Sequence, residues 1–224
     1  MAAAQGLDQI FRSIGIDRNY DNMDLSGLAL DLQGWGSNHP IFRHVLSTHK
    51  PQIIIEVGTW KGASATHMVK TAESLGFVTE VICIDTWLGS NDTLWVNPEF
   101  RKSLMLQHGY PNMFTQFIYN IRDAGVAKRL YPLPMTSSAA YHLLKGKSVT
   151  ADVIYIDAGH EEEEVLIDLK LYYDLLKCGG AIFGDDYSDP WPGVIRAVNR
   201  FCADKGLRLV TTDDKYYFVK PRGG

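Results

Sequence analysis

The sequence is poor in cysteine, in long apolar runs and in excess charge of either sign. Only three cysteines (Cys83, Cys178 and Cys202) occur in 224 residues, far apart and odd in number. That excludes a disulfide framework and the paired spacing of a zinc site, and it fits reduced thiols in a cytoplasmic protein. No apolar run approaches the roughly 18 residues of a membrane span, so no membrane partner is expected. The first residues lack a basic stretch followed by an apolar one, so no signal peptide is read there. Lys and Arg number 22 against 26 Asp and Glu, a formal charge of −4. Without a basic footprint, nucleic acid is not expected as a main partner. Internal repeats and low-complexity segments are also missing. What remains is an ordinary globular composition, 46% hydrophobic and 21% charged, of a length that suits one domain with a sizeable core.

The most informative stretch is Ile53-Ile54-Ile55-Glu56-Val57-Gly58-Thr59-Trp60-Lys61-Gly62. A short β-branched apolar run reads as a buried parallel strand. Glycines just beyond it let the backbone turn tightly and approach a ligand. The spacing is Gly-x-x-x-Gly after an acid, not the Gly-x-Gly-x-x-Gly of a pyrophosphate loop. A phosphate site at a helix N-terminus disfavours an acid. Glu56 therefore points to a cationic or zwitterionic ligand.

Around this stretch the chain alternates strands and helices. Strands are expected at 53–57, 80–85, 129–133, 152–157 and 181–185, with helices at 39–46, 63–74, 161–177 and 191–205. Residues 207–211 and 216–220 would pair as a hairpin about Thr212-Asp213-Asp214-Lys215. Such βα alternation predicts an α/β, Rossmann-like, doubly wound sheet with helices on both faces. Residues 1–50 read as a helical or irregular extension that caps the site or forms an interface, as in a homo-oligomer. The domain proper is 51–224, with a lid-like insertion at about 87–128. That insertion is rich in aromatic residues, and Phe114, Phe117 and Ile121 have helical spacing. Loops of that length in a compact domain are usually functional.

Four strands end in acids: Glu56, Asp85, Asp157 and the pair Asp185-Asp186. In open α/β sheets ligands bind outside the carboxyl ends of the strands. Five converging carboxylates repel one another unless a divalent cation or a cationic cofactor lies between them. Asp85 is placed to accept from both hydroxyls of a ribose. Asp157, Asp185 and Asp186 offer hard oxygen ligands to Mg²⁺, Ca²⁺ or Mn²⁺. His160, three residues after Asp157, could take a proton from a metal-acidified hydroxyl, with Asp157 the alternative base. The acids at 161–164 read instead as a solvated first helical turn favoured by the helix dipole.

Taken together, these residues resemble a class I S-adenosylmethionine-dependent methyltransferase. Glu56-x-Gly58-x-x-x-Gly62 looks like its first motif, Asp85 like the acid ending its second strand, and Leu175-Leu176-Lys177-Cys178-Gly179-Gly180 like the approach to its fifth. The resemblance spans about 50–220 and implies a seven-stranded sheet, mostly parallel, with an antiparallel C-terminal hairpin strand. Asp157 with Asp185-Asp186 resembles the metal-dependent O-methyltransferases, among them catechol, macrolide-sugar and aminocoumarin enzymes; the overall pattern is similar to methyltransferase family 24. The resemblance implies that Glu56, Gly58, Thr59, Trp60, Gly62 and Ser64 surround the methionine part of the cofactor. It puts Asp85 at the ribose, and Thr86, Trp87, Met135, Thr136 and Ser137 near the adenine. Asp157 borders the cofactor, and Asp157, Asp185 and Asp186 hold the metal. A histidine at 160 replaces the lysine base of catechol-type enzymes. Tyr187, Trp191 and the insertion would line the pocket of a small hydroxylated acceptor. Two rivals stay open: the same fold serving another metal-dependent step of natural-product assembly, and a non-catalytic cofactor-binding protein.

Overall fold

The computed structural model describes residues 2–90 and 94–222. Residues 91–93 of the expected insertion lie outside the described residues. In chain order the elements are α1 (Ala2–Ser13), α2 (Pro40–His49), β1 (Ile53–Val57), α3 (Ala63–Ser74), β2 (Glu80–Asp85), α4 (Pro98–Arg101), α5 (Met113–Asp123), β3 (Leu130–Pro134), α6 (Ser137–Gly146), β4 (Ala151–Ile156), α7 (Glu162–Leu175), β5 (Leu176–Gly184), α8 (Pro192–Lys205), β6 (Val210–Thr212) and β7 (Lys215–Val219). The strands form one sheet in the order β3-β2-β1-β4-β5-β7-β6. The first five run parallel, and β7 is antiparallel to both of its neighbours. This is the expected doubly wound, seven-stranded sheet with its antiparallel return.

Central strands buried on both faces explain the near-continuous apolar runs. Ile54, Val81, Cys83, Val153, Tyr155 and Phe183 pack on one side with residues of α2, α3 and α5. Ile55, Ile82, Ile84, Ile154, Ile156 and Ile182 pack on the other with residues of α1, α6, α7 and α8. Each fully buried side chain of this kind contributes about 1.5–3 kcal/mol relative to exposure. Among the described residues, no helix is long and apolar enough to cross a membrane.

Several sequence-based boundaries need correction. Helix α6 has no counterpart among the expected helices; Thr136, expected near the adenine, caps it by accepting from Ala139 N at 3.3 Å. Strand β5 begins at Leu176, not 181, so Gly179-Gly180 lies within the strand after α7 has already ended at Leu175. The hairpin turn is two residues long. Thr212 pairs with Lys215, and Asp213 adopts φ +51°, a backbone suited to tight hairpins. Lys215 is therefore the first residue of β7, not part of a solvated turn.

The N-terminal stretch lies against the insertion and the loop after β1. Gln116 of α5 donates to Ala29 O at 2.9 Å. Asn120 Nδ2 donates to Asp31 O at 2.7 Å and to Lys61 O at 2.9 Å. Lys61, almost fully buried, bonds Asp31 at 2.5 Å and Gln33 at 2.7 Å. Trp35 meets Trp60 and Phe100, with ring centroids 6.1 and 6.2 Å away.

Candidate active site

The carboxyl ends of β1, β2, β4 and β5 gather the acids as the topology requires. Past the strand ends, Gly58 N donates to Ile84 O at 2.8 Å and Asp157 N to Val57 O at 2.8 Å. The chain can turn there because residue 58 is glycine. Its φ is +89°, and a Cβ would lie 1.8 Å from the carbonyl oxygen of Asp157. No L side chain fits that space.

Asp85 ties the surrounding loops together. Its Oδ2 accepts from Trp60 N at 2.8 Å and its Oδ1 from Trp87 N at 2.7 Å. The Trp87 indole in turn donates to Trp60 O at 2.8 Å. Both tryptophans have φ +52°, a conformation that non-glycine residues seldom adopt. Trp87 is buried against Phe114 and Phe117, each 4.9 Å between ring centroids. Burial raises the Asp85 carboxyl above its usual range, opposed by these backbone N–H groups.

Glu56 is fully buried. Its Oε1 accepts from the Ser64 hydroxyl at the start of α3, while Oε2 has no hydrogen-bond partner. Burial pushes its carboxyl up to about 8, against the Ser64 bond. A buried, half-satisfied acid beside a glycine turn suits a ligand bearing a positive charge. Of the other expected cofactor contacts, Thr59 is buried and Met135 is partly buried against the core. Thr86 Oγ1 accepts from Leu88 N at 3.2 Å. The backbone carbonyl of Ser137 accepts from Tyr172 at 2.7 Å.

The acids expected at the metal divide into two groups. Tyr155 of β4, two residues before Asp157, has its hydroxyl 3.0 Å from Asp157 Oδ2 and 3.2 Å from Asp185 Oδ2. Asp185 Oδ1 accepts from Asp186 N at 2.7 Å and from the ammonium of Lys215. Asp186, with φ +60°, turns instead toward His160, whose Nε2 lies 3.0 Å from Asp186 Oδ2. The His160 ring stacks on Trp191 at 3.9 Å between centroids. One ligand atom each from Asp157, His160 and Asp186 lies within 4.8 Å of the others. Burial, then Asp185 and Asp186, raises the Asp157 carboxyl well above the usual range. Asp157 and Asp186 bring two carboxylates close enough to suit a divalent cation, with the His160 imidazole beside them. Asp185, expected among the ligands, is held by Tyr155 and Lys215.

Of the acids at 161–164 expected in a first helical turn, Glu162, Glu163 and Glu164 occupy that of α7, while Glu161 is its N-cap residue; Glu162 pairs with Arg196 of α8 at 2.5 Å. Sequence reading missed Tyr155, hidden in an apolar strand, and Lys215, hidden by the turn assignment. It also missed a cavity of about 670 Å³ between the N-terminal stretch and the insertion, lined among others by Leu28, Gln33, Lys61, Phe100 and Ser103.

The sheet order, the antiparallel return and the glycine turn at its carboxyl edge define a class I S-adenosylmethionine-dependent methyltransferase fold. A family model described as a methyltransferase domain (family 24) matches residues 55–187, and the chain belongs to that family. Solved structures agree on the fold. The O-methyltransferase from Bacillus cereus in complex with SAH is 14% identical, with 96% of this chain and 91% of that one covered at a TM-score of 0.56. The O-methyltransferase TomG from Streptomyces achromogenes, involved in tomaymycin synthesis and bound to SAM, is 13% identical, with 99% and 90% covered at 0.58. The O-methyltransferase NovP is 18% identical, with 83% and 80% covered at 0.58. A curated relative, an uncharacterised protein of Acanthamoeba polyphaga mimivirus, is 44% identical over 55 residues, 24% of this chain. The match spans only 25% of that relative's length.

Proposed function

We propose that this protein moves the methyl group of S-adenosylmethionine to a hydroxyl of a small hydroxylated acceptor, with a divalent cation, Mg²⁺ first among candidates. The observation that carries the reading is the Asp157–His160–Asp186 cluster one strand away from the Glu56 and Gly58 turn. S-adenosylmethionine, when bound, supplies an electrophilic methyl on a sulfonium. A divalent cation held by Asp157 and Asp186 would lower the pKa of an acceptor hydroxyl.

The chain's own residues do the rest. Glu56 offers its unsatisfied oxygen to the positive end of the donor. Gly58 clears the approach, and Asp85 fixes the two loops that flank it. Asp186 orients the His160 imidazole, and Trp191 holds the ring plane, so His160 is the group set to receive the acceptor proton. The step is then an in-line displacement that depends mostly on positioning. Residues 27–36, facing the insertion across the cavity of about 670 Å³, would wall the acceptor side.

Labelled S-adenosylmethionine, offered with a panel of catechols, sugars and polyols with Mg²⁺ or with EDTA, tests the reading. Label transfer to oxygen in Mg²⁺, abolished by EDTA and restored by added metal, is expected. Full transfer in excess EDTA contradicts the metal role.

A further inference from the structure

We propose that Lys215 is a resident counter-cation of the acid cluster: by neutralising Asp185 it sets how tightly the site holds a divalent metal. The proposal rests on the metal reading above and goes beyond it. The antiparallel return of β7 puts this residue at the carboxyl edge of the sheet. Gly184 pairs with Tyr216, so one step further the strands bring Asp185 opposite Lys215. The Lys215 side chain is 0% exposed. Its ammonium bonds Asp185 and lies 3.2 Å from Asp214 Oδ1.

The backbone closes over it. Gly36 of the N-terminal stretch has φ +61°, and a Cβ there would lie 2.6 Å from Lys215 Nζ and 3.8 Å from Asp185 Oδ2. A side chain at position 36 would therefore press on the ion pair. The remaining partners of Asp185 are protein donors as well, Tyr155 and the backbone of Asp186. Asp157 and Asp186 make up the acid part of the His160 cluster. Leaving aside Asp214, whose side chain is half exposed to water, the three strand-end carboxylates and one ammonium leave two negative charges, which a divalent cation balances. Without the ammonium a third, buried charge is uncompensated, and the site attracts a cation more strongly.

Mn²⁺ binding to the full-length chain, followed by calorimetry and by the electron paramagnetic resonance of the free ion, tests this without any acceptor. Lys215→Met should bind Mn²⁺ at least about tenfold more tightly than the unaltered chain, because one partner of a buried pair has been removed. Mn²⁺ should also raise its melting temperature by more. Lys215→Arg keeps the charge and should stay within about threefold.

The double variant Lys215→Met with Asp185→Asn removes both charges of the pair, so neither is left unpaired to impair folding. It too should bind within about threefold of the unaltered chain. Equal or weaker binding by Lys215→Met overturns the proposal. So does a loss of tenfold or more in the double variant, which would make Asp185 a ligand. If the single variant does not fold, the double variant decides alone. Absence of Mn²⁺ binding in every chain contradicts the metal reading itself and takes the proposal with it, an outcome distinct from the other two.

Discussion

The imidazole of His160 stands between Asp186, 3.0 Å from its Nε2, and the indole of Trp191, 3.9 Å from its ring centre. Constraints from different elements hold one ring: a carboxylate just past β5 and an aromatic plane at the N-terminus of α8. His160→Ala should lower turnover by about a hundredfold or more, the usual worth of a positioned base. Trp191→Ala should cost about tenfold by letting the ring drift. Both should leave calorimetric affinity for S-adenosylhomocysteine within error of the unaltered chain. Loss of cofactor affinity in either variant would remove His160 from the proton-transfer role.

Gly58→Ala introduces a Cβ 1.8 Å from the Asp157 carbonyl oxygen, at φ +89°. Backbone must move, in a place where β1 and β4 are paired. A loss of at least about 2 kcal/mol in urea unfolding is expected, together with weaker cofactor binding. Unchanged stability would mean that the turn is not where the structure puts it.

Glu56 gives a pH signature. Its folded carboxyl titrates at about 8 against an ordinary 4.5, so between those values the folded chain keeps a proton that the unfolded chain has lost. Stability from this group therefore falls as pH rises from 4.5 to 8. Glu56→Gln cannot ionise, and its melting temperature should gain on that of the unaltered chain between pH 5 and pH 8.5. A difference independent of pH would contradict the burial argument. A cationic ligand resting on Glu56 should expel the same proton. The calorimetric enthalpy of cofactor binding near pH 7 should then change with the ionisation heat of the buffer.

Much of this was legible in the sequence, unevenly and for physical reasons. Residues 53–57, 63–74 and 80–85 have the expected bounds, because an apolar run, a glycine turn and a terminal acid punctuate the chain there. Helix α6 carries a weaker signal, a ten-residue segment whose buried residues are Ala140, Tyr141 and Leu144. Lys215 was lost to a shift of turn bounds. In a two-residue turn it is a buried strand residue, whereas in a four-residue turn it would be solvated. The contacts of Gly36 with Lys215 and of Trp35 with Trp60 join distant parts of the chain through an irregular segment. Irregular segments leave no period to read. The grouping of Asp157, His160 and Asp186 apart from Asp185 likewise depends on side-chain direction beyond the strand ends.

The turn between β1 and α3, fixed by Asp85, should be the cradle of the methyl donor. Isothermal titration of the protein with S-adenosylhomocysteine tests it most directly, with Asp85→Ala alongside. Saturable one-to-one binding is expected, weakening at least about tenfold in Asp85→Ala, as the N–H groups of Trp60 and Trp87 lose their shared acceptor. No binding up to millimolar ligand, or equal binding by the variant, would contradict it.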